Sequence, residues 1–502
     1  MSDSSLKQKT ANGLLWGGVN NLITQIISLV FGILLARALV QEDYGLVGML
    51  AIFTALSMTI VNSGFSTALT NKKDATQKDY DAVFWFTVFV GIILFVVLYF
   101  CAPLIASFYK RPELISISKV LFLGFMISGI GIVSSTVLFK RMMVKEMAII
   151  NIVALCISSI SGVTLALLGY NYWALVIQNV LYVSSTSLIA FIVSPWRPTF
   201  HINFSPLREL LPFSAKLLIT SVFYCINTNI LSVLLGKMYN ATMLGDYSQG
   251  QKWGTMGSSS VGGMINSIAQ PVFVQINDEK KRQLSVLRKM IRFGAFLSFP
   301  LMFGFGFVGK EFILITIGER WLPSVPYLQL FCIWGAFAYL WNLFYNTFFA
   351  HGKSNIYMYI TIITGILQLI IVLFIYKFIN IHNDGDSLFQ FIIAKLAKMG
   401  VLLIVIGYLL INFISLWLGQ YHIKKLTGLR FRELMKDIVP YLSITLACLL
   451  IAYMATITIE NLYLLLIAKV VITATLYVIV MKVSRSVIFK ESMEFLFRRK
   501  NN

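Results

Sequence analysis

Three lysines stand where a membrane-spanning chain has least reason to place them. Lys216, Lys252 and Lys398 each fall about nine to eleven residues inside a long apolar segment, roughly 14 Å deep at the rise of an α-helix. Lys395 lies one turn from Lys398 on the same helical face. A charge at that depth is expensive and is normally kept for a function. The neighbours extend the pattern. Lys216, Thr220, Tyr224 and Asn227 recur at helical spacing on one segment, and Lys252, Ser259, Asn266 and Gln270 on the next. Asn21 and Gln25 are four apart near the N-terminus, with Asn20 beside them. Continuous polar stripes must face protein or water, not lipid. Polar glue between packed helices is the blander use of the amides and hydroxyls. It explains less well three mid-depth lysines without acidic neighbours. A cationic cavity poor in acids suits an anionic, phosphate-linked substrate. It does not suit a metal ion or a cationic drug. Arg37, Lys119 and Lys469 lie nearer segment ends and are expected to snorkel to the headgroups. Arg37 is also kept as a candidate substrate contact.

The elements that must carry these residues are transmembrane helices. Of 502 residues, 58% are hydrophobic and 12% charged, against about 25% charged in soluble proteins. Mean hydropathy is +0.80. About fourteen segments between Ala11 and Met481 reach the roughly 20 residues a span needs. The weakest is 241–275, rich in Gly, Ser and Gln. Met1–Thr10 is short and polar, and the apolar stretch after it is read as a retained first helix rather than a signal peptide. The net charge of +20 is explained by loop asymmetry rather than nucleic-acid binding. Counting alternate loops places 28 basic residues on one side and 6 on the other, so both termini are expected in the cytoplasm. The longest outer loop, Gly309 to Ser324, leaves no room for a folded domain. The tail from Lys482 to Lys500 mixes bases with Ile488, Phe489 and Phe495 and reads as a helix on the inner membrane surface. Five cysteines are scattered through apolar spans and four histidines through loops, without metal-ligand spacing.

A faint repeat divides the chain. Leu34-Leu35-Ala36-Arg37 is followed by Asp43-Tyr44, and Leu234-Leu235-Gly236-Lys237 by Asp246-Tyr247. The offset of about 200 residues equals six helices, which keeps orientation and implies an axis along the membrane normal. The expected architecture is an all-α polytopic membrane protein. Two six-helix lobes, 1–200 and 201–420, are related by a pseudo-two-fold axis, and 421–502 holds two further helices and the basic tail.

Leu35 to Met49, LARALVQEDYGLVGM, resembles the junction of bacterial polysaccharide transporters. Asn62-Ser63-Gly64-Phe65, Ala82 to Trp85 and Ala102 to Phe108 follow in that family's order and spacing. Val40-Gln41 stands where the family usually carries Gly-Pro. The family belongs to the multidrug/oligosaccharidyl-lipid/polysaccharide exporter superfamily. The resemblance implies two lobes around a central cavity. It also implies flipping of a polyprenyl-diphosphate-linked oligosaccharide, such as an O-antigen, capsule or exopolysaccharide unit, across the bacterial inner membrane. The partners are then that lipid-linked glycan, the bilayer and other polysaccharide-assembly proteins, with no nucleic acid. No cofactor is expected. No GxxxxGK[ST] phosphate loop is present, so the drive would come from an H+ or Na+ gradient or the membrane potential. A multidrug cation antiporter of the same superfamily is the main rival, but it would need cavity carboxylates. Asp246 is the one acid expected near a span interior. A membrane glycan polymerase or ligase is disfavoured by the short outer loops, and the chain is read as a non-enzyme.

The charge asymmetry sets a topology test. Reporter fusions after Lys281 and after Lys425 should report cytoplasm, and a fusion near Asp384 the outside. An outside signal after Lys281 would remove 241–275 as a span and break the repeat.

Overall fold

A computed structural model describes residues 3–72, 74–200, 203–275, 279–381, 400–484 and 488–491. No strand occurs among them. The helices are α1 Asp3–Ala38, α2 Gln41–Met49, α3 Ala51–Asn62, α4 Phe65–Asn71, α5 Gln77–Tyr109, α6 Glu113–Lys140, α7 Val144–Leu167, α8 Tyr172–Val193, α9 Leu207–Met238, α10 Ala241–Gln275, α11 Lys280–Phe307, α12 Gly309–Thr316, α13 Val325–Ala350, α14 Ser354–Ile381, α15 Gly400–Thr427, α16 Phe431–Thr456 and α17 Leu462–Val483. A 3-10 turn, Glu319–Ser324, precedes α13. Among the described residues, thirteen helical stretches are long and apolar enough to cross a bilayer. The expected fourteenth, α10, is a continuous helix of 35 residues that is more polar than the rest. The chain is a multi-span membrane protein.

The chain forms two compact units, Met1–Gly245 and Asp246–Asn502. The boundary expected between 200 and 201 concerns symmetry, whereas these units follow packing: α9 lies against α3 and α4 and so joins the first unit. In that unit α5 packs on α6, α6 and α7 on α8, and α1 on α7. Its buried core gathers Phe65, Leu69, Val83, Phe84, Val137, Trp196 and Leu210. On the strongly basic side, Lys72 lies 2.7 Å from Glu209 and 3.1 Å from Asp79. Those hydrogen bonds, Glu209 first, hold the Lys72 ammonium above its usual pKa range. The Lys140 ammonium donates to the Leu69 and Lys72 carbonyls, which satisfies the end of α4.

The second span is broken rather than continuous over 44–70. Ser63 and Gly64 adopt φ of 51° and 71° between α3 and α4. A Cβ at Gly64 would sit 2.9 Å from the Ser214 carbonyl oxygen of α9, so glycine serves both the left-handed turn and the close approach. This is the physical content of the Asn62-Ser63-Gly64-Phe65 string. The repeat junction has a comparable reason. A Cβ at Gly45 would fall 1.7 Å from the Ala241 carbonyl oxygen, and one at Gly245 would fall 1.9 Å from that of Gln41. Position 41 meets 245 and 45 meets 241, the reciprocal pattern a two-fold repeat makes where its copies meet.

In the second unit α11 packs against α13 and α16, α13 and α14 against α15, and α16 against α17. Three expectations are corrected here. Lys469 does not snorkel. It pairs with Glu311 of α12 at 2.7 Å, both side chains being buried, and lies over the Phe307 ring. Carboxylates are also less scarce within the helices than expected. Asp437, one turn and a half into α16, accepts from Arg288 of α11 through both oxygens, at 2.7 and 3.1 Å. Finally, the stretch Gly309–Ser324, expected as an outer loop, folds into α12 and the 3-10 turn. Of the tail, the described residues 488–491 pack on α11: Ile488 is buried, Phe489 meets Phe296, and Glu491 pairs with Lys289. The remainder of the expected surface helix lies outside the described residues.

The Lys469–Glu311 pair makes a stability prediction. Lys469→Met should lower the stability of the purified chain by about 3–5 kcal/mol, because it strands a buried carboxylate. Lys469→Met with Glu311→Met should recover most of that loss. Thermal unfolding in lipid nanodiscs reads both. Equal melting of the single variant and wild type would mean the pair contributes nothing.

Candidate functional site

The polar residues of the first unit divide into two kinds. On α1, Asn20 and Thr24 face α7. The Asn151 amide donates to Asn20 Oδ1 at 3.2 Å and to Thr24 Oγ1 at 3.3 Å, and the Tyr182 hydroxyl donates to Asn151 Oδ1 at 2.8 Å. This network ties α1, α7 and α8 together and is helix–helix glue. Asn21 and Gln25 sit one residue further round the helix. Asn21 is exposed and Gln25 half-buried. Sequence spacing identified the polar patch but could not tell which residues of Asn20, Asn21, Thr24 and Gln25 face a partner helix.

On α9, Lys216 is exposed, Thr220 and Asn227 are half-buried and Tyr224 is 51% exposed. The Thr220 hydroxyl donates to the Lys216 carbonyl at 2.9 Å, which leaves its lone pairs outward. Asn227 is engaged by neighbours. The opposite side of α9 is used for packing: Cys225 is buried, and the Asn229 amide donates to its carbonyl at 2.9 Å. Arg37, near the end of α1, is exposed and engaged in an interaction. Lys119 lies over the Tyr99 ring at 4.5 Å, so its charge meets an aromatic face within the unit.

In the second unit α10 has two sides. Gly250, Gly254 and Gly257 face its packing partners. A Cβ at Gly250 would meet Tyr327 Cβ at 2.5 Å, one at Gly254 Phe331 Cβ at 2.5 Å, and one at Gly257 the Met302 sulfur at 2.9 Å. The glycines therefore serve close helix approach, and α10 runs on through them without a break. Lys252 and Ser259 are exposed. The Lys252 ammonium is 5.2 Å from the ring centroid of the buried Trp253. The Ser259 hydroxyl donates to the Met256 carbonyl at 2.8 Å. The side chains of Asn266 and Gln270, and the whole of Lys395 and Lys398, lie outside the described residues. Lys216 belongs to the first unit and Lys252 to the second. Neither has a carboxylate partner among the described residues.

Among the described residues each buried acid has at least one partner, although Asp246 Oδ1 and Glu311 Oε2 accept no hydrogen bond. Asp43 accepts from the Val40 amide at 3.0 Å, and Asp79 from Lys72. Asp81 accepts from the Gln77 amide at 3.0 Å and the Thr199 amide at 3.2 Å. Glu311 holds Lys469, Asp437 holds Arg288, and Asp246 is likewise engaged. Sequence reasoning missed Glu311 and Asp437 as interior acids. Asp437 had a signal, since it opens an apolar segment.

The family model for polysaccharide biosynthesis proteins matches residues 34–326. Among curated relatives, the teichuronic acid biosynthesis protein TuaB of Bacillus subtilis is 27% identical over 467 residues, 91% of each chain. The fold is shared with solved transporters. The lipid II flippase MurJ in an inward closed conformation superposes with a TM-score of 0.72 at 15% identity, covering 97% of this chain and 100% of that one. An inward-facing multidrug resistance MATE family transporter of the MOP superfamily gives 0.61 at 16% identity, covering 82% and 99%.

The packed side of α10 gives a test of its role. Gly254→Ala should destabilise the second unit by about 1–3 kcal/mol through overpacking against Phe331 and Leu328. Ser259→Ala, on the exposed side, should leave stability unchanged within about 0.5 kcal/mol. Melting temperatures of the purified variants check both, and an unshifted Gly254→Ala would contradict the close approach.

Proposed function

The chain belongs to the polysaccharide biosynthesis protein family, and from that premise we propose that it flips a polyprenyl-diphosphate-linked oligosaccharide across the bacterial inner membrane by alternating access. Its termini would be cytoplasmic, as the 28-to-6 distribution of basic residues requires. The observation that carries the reading is that each unit carries a lysine inside a long helix, Lys216 on α9 and Lys252 on α10, with hydroxyl neighbours and no carboxylate partner among the described residues. Such groups need water or an anion. A diphosphate supplies the anion, and lysines meet it as point charges. Arg37 would add a third charge near the end of α1, with Asn21, Gln25, Thr220, Asn227 and Ser259 contacting the polar cargo.

The antiporter rival is served less well. A multidrug cation exporter needs carboxylates free to bind drug and exchange protons, and among the described residues each buried acid already has a neighbour. Likeness over 91% of its length to a teichuronic acid biosynthesis protein supports a glycan cargo. Likeness in fold to the lipid II flippase MurJ supports movement of a lipid-linked one. An H+ or Na+ gradient, or the membrane potential, would drive the cycle.

Lys216→Gln and Lys252→Gln should each lower surface polysaccharide by about tenfold or more at normal protein level, the scale of one lost charge-assisted hydrogen bond. The Arg variants should be milder. Export at the wild-type rate from both Gln variants would overturn the cationic site.

A further inference from the structure

The first unit contains a cavity of about 380 Å3 that no lysine or carboxylate lines. It lies at the break between α3 and α4. Asn62, the last residue of α3, and Ser66, in the first turn of α4, reach it from either side of the turn at Ser63 and Gly64. Helices α6 and α8 close it with Ser128, Ser135 and Ser187. Counting from the ends of these helices on the strongly basic side, the cavity sits about 8–18 Å in. Its volume falls in the range of about 300–1,000 Å3 typical of small-molecule sites.

The hydrogen bonds of the lining specify a chemistry. Ser128 donates to the Phe125 carbonyl at 2.8 Å, which leaves acceptor lone pairs. The Thr136 hydroxyl donates to the Ile132 carbonyl at 2.8 Å, so Ser66 donates to Thr136 at 2.7 Å. Ser187 is 8% exposed, opens onto the cavity, and makes no hydrogen bond with the described residues. Asn62 and Ser135 also lack a partner there, so an amide and two hydroxyls remain free to donate and accept. Met58 and Ile132 add an apolar patch. The floor is rigid, because a Cβ at Gly131 would fall 2.5 Å from Ser187 Cα, so α6 and α8 touch backbone to backbone.

An uncharged lining with donors, acceptors and one apolar face offers an ion no counter-charge. It matches a sugar ring, whose hydroxyls both donate and accept and whose C–H face is apolar. In a bilayer such a surface cannot face lipid and must hold water or a ligand. We propose that this cavity is a glycan-contact site, binding a neutral sugar ring of the cargo apart from the lysines that would meet its diphosphate. The inference rests on the flippase reading for the origin of that sugar.

The test uses the full chain in its own host. Ser135→Cys places a thiol at the half-buried rim of the cavity. Its alkylation by N-ethylmaleimide is followed by mass spectrometry on the peptide that carries it. Membranes are compared from cells that assemble the lipid-linked glycan and from cells blocked at transfer of the first sugar, where only the sugarless lipid carrier is present. Alkylation should slow at least about fivefold in the first set, the protection expected when the glycan exceeds its dissociation constant about fourfold. Equal rates in the two sets would overturn the proposal and leave the cavity as a water site. Should Ser135→Cys fail to accumulate, Ser187→Cys is read in the same way. Deletion of the gene is the separate arm. Unchanged surface polysaccharide in the deletion strain would sink the flippase reading, whereas loss in that strain with equal alkylation rates would sink the sugar site alone.

Discussion

Helices in a bilayer gain little from hiding apolar side chains from one another, because lipid tails are as apolar as leucine. Close backbone approach and a few polar links must hold the bundle instead. That constraint runs through both units. Gly91 and Gly129 let α5 and α6 touch, each position opposite the other helix's carbonyl oxygen, and Thr87 donates to the Gly129 carbonyl at 3.0 Å. Gly250, Gly254 and Gly257 do the same for α10. The reciprocal contacts of Gly45 and Gly245 belong to the same class. A side chain at any of these positions would push apart elements that no hydrophobic force would draw back.

Charge inside the helices sorts by the same logic. A charge that meets a partner becomes scaffold, and one that does not remains open to a ligand. Lys469 with Glu311 and Arg288 with Asp437 belong to the first group. Breaking such a pair costs about 3–5 kcal/mol, so each restrains the helices it joins. Lys216 and Lys252 belong to the second group: both are exposed residues, on α9 and α10, with no carboxylate partner among the described residues. Sequence depth set Lys469 nearer a segment end than Lys216 but could not show that Glu311 meets it and makes it scaffold.

Much of the fold was legible because hydropathy reports spans directly, and even the polar α10 emerged as a helix from the spacing of its neighbours. The broken second span was less visible. Its apolar run continues through Ser63 and Gly64, and only the positive φ values reveal the turn. The acids were misjudged for a related reason. Glu311 looked like a loop residue, because the α12 helix that turns it toward Lys469 is only 8 residues long. For the polar sites, spacing gave a face to within about 100°. That was too coarse to choose between Asn20 and Asn21 on α1, where one bonds Asn151 and the other is exposed. The cavity beside the break could not be read at all, since its hydroxyls come from four helices far apart in sequence.

Separating charged from neutral recognition has a consequence for transport. A carrier must bind its cargo well enough to capture it and weakly enough to release it on the other side. Charge-assisted contacts are worth about 1.5–3 kcal/mol each, and neutral hydrogen bonds about 0.5–1.5 kcal/mol. The diphosphate is common to all polyprenyl-diphosphate-linked glycans, so under the proposed function capture would rest on the lysines whatever sugars follow. A hydroxyl-lined cavity would then add modest selectivity without trapping the cargo. A charged residue in its place would hold sugar hydroxyls more tightly and release them less readily, and it would need its own counter-ion at that depth. Such a division lets the lysines set affinity for the lipid carrier while the residues around the break in the second span set tolerance for the glycan.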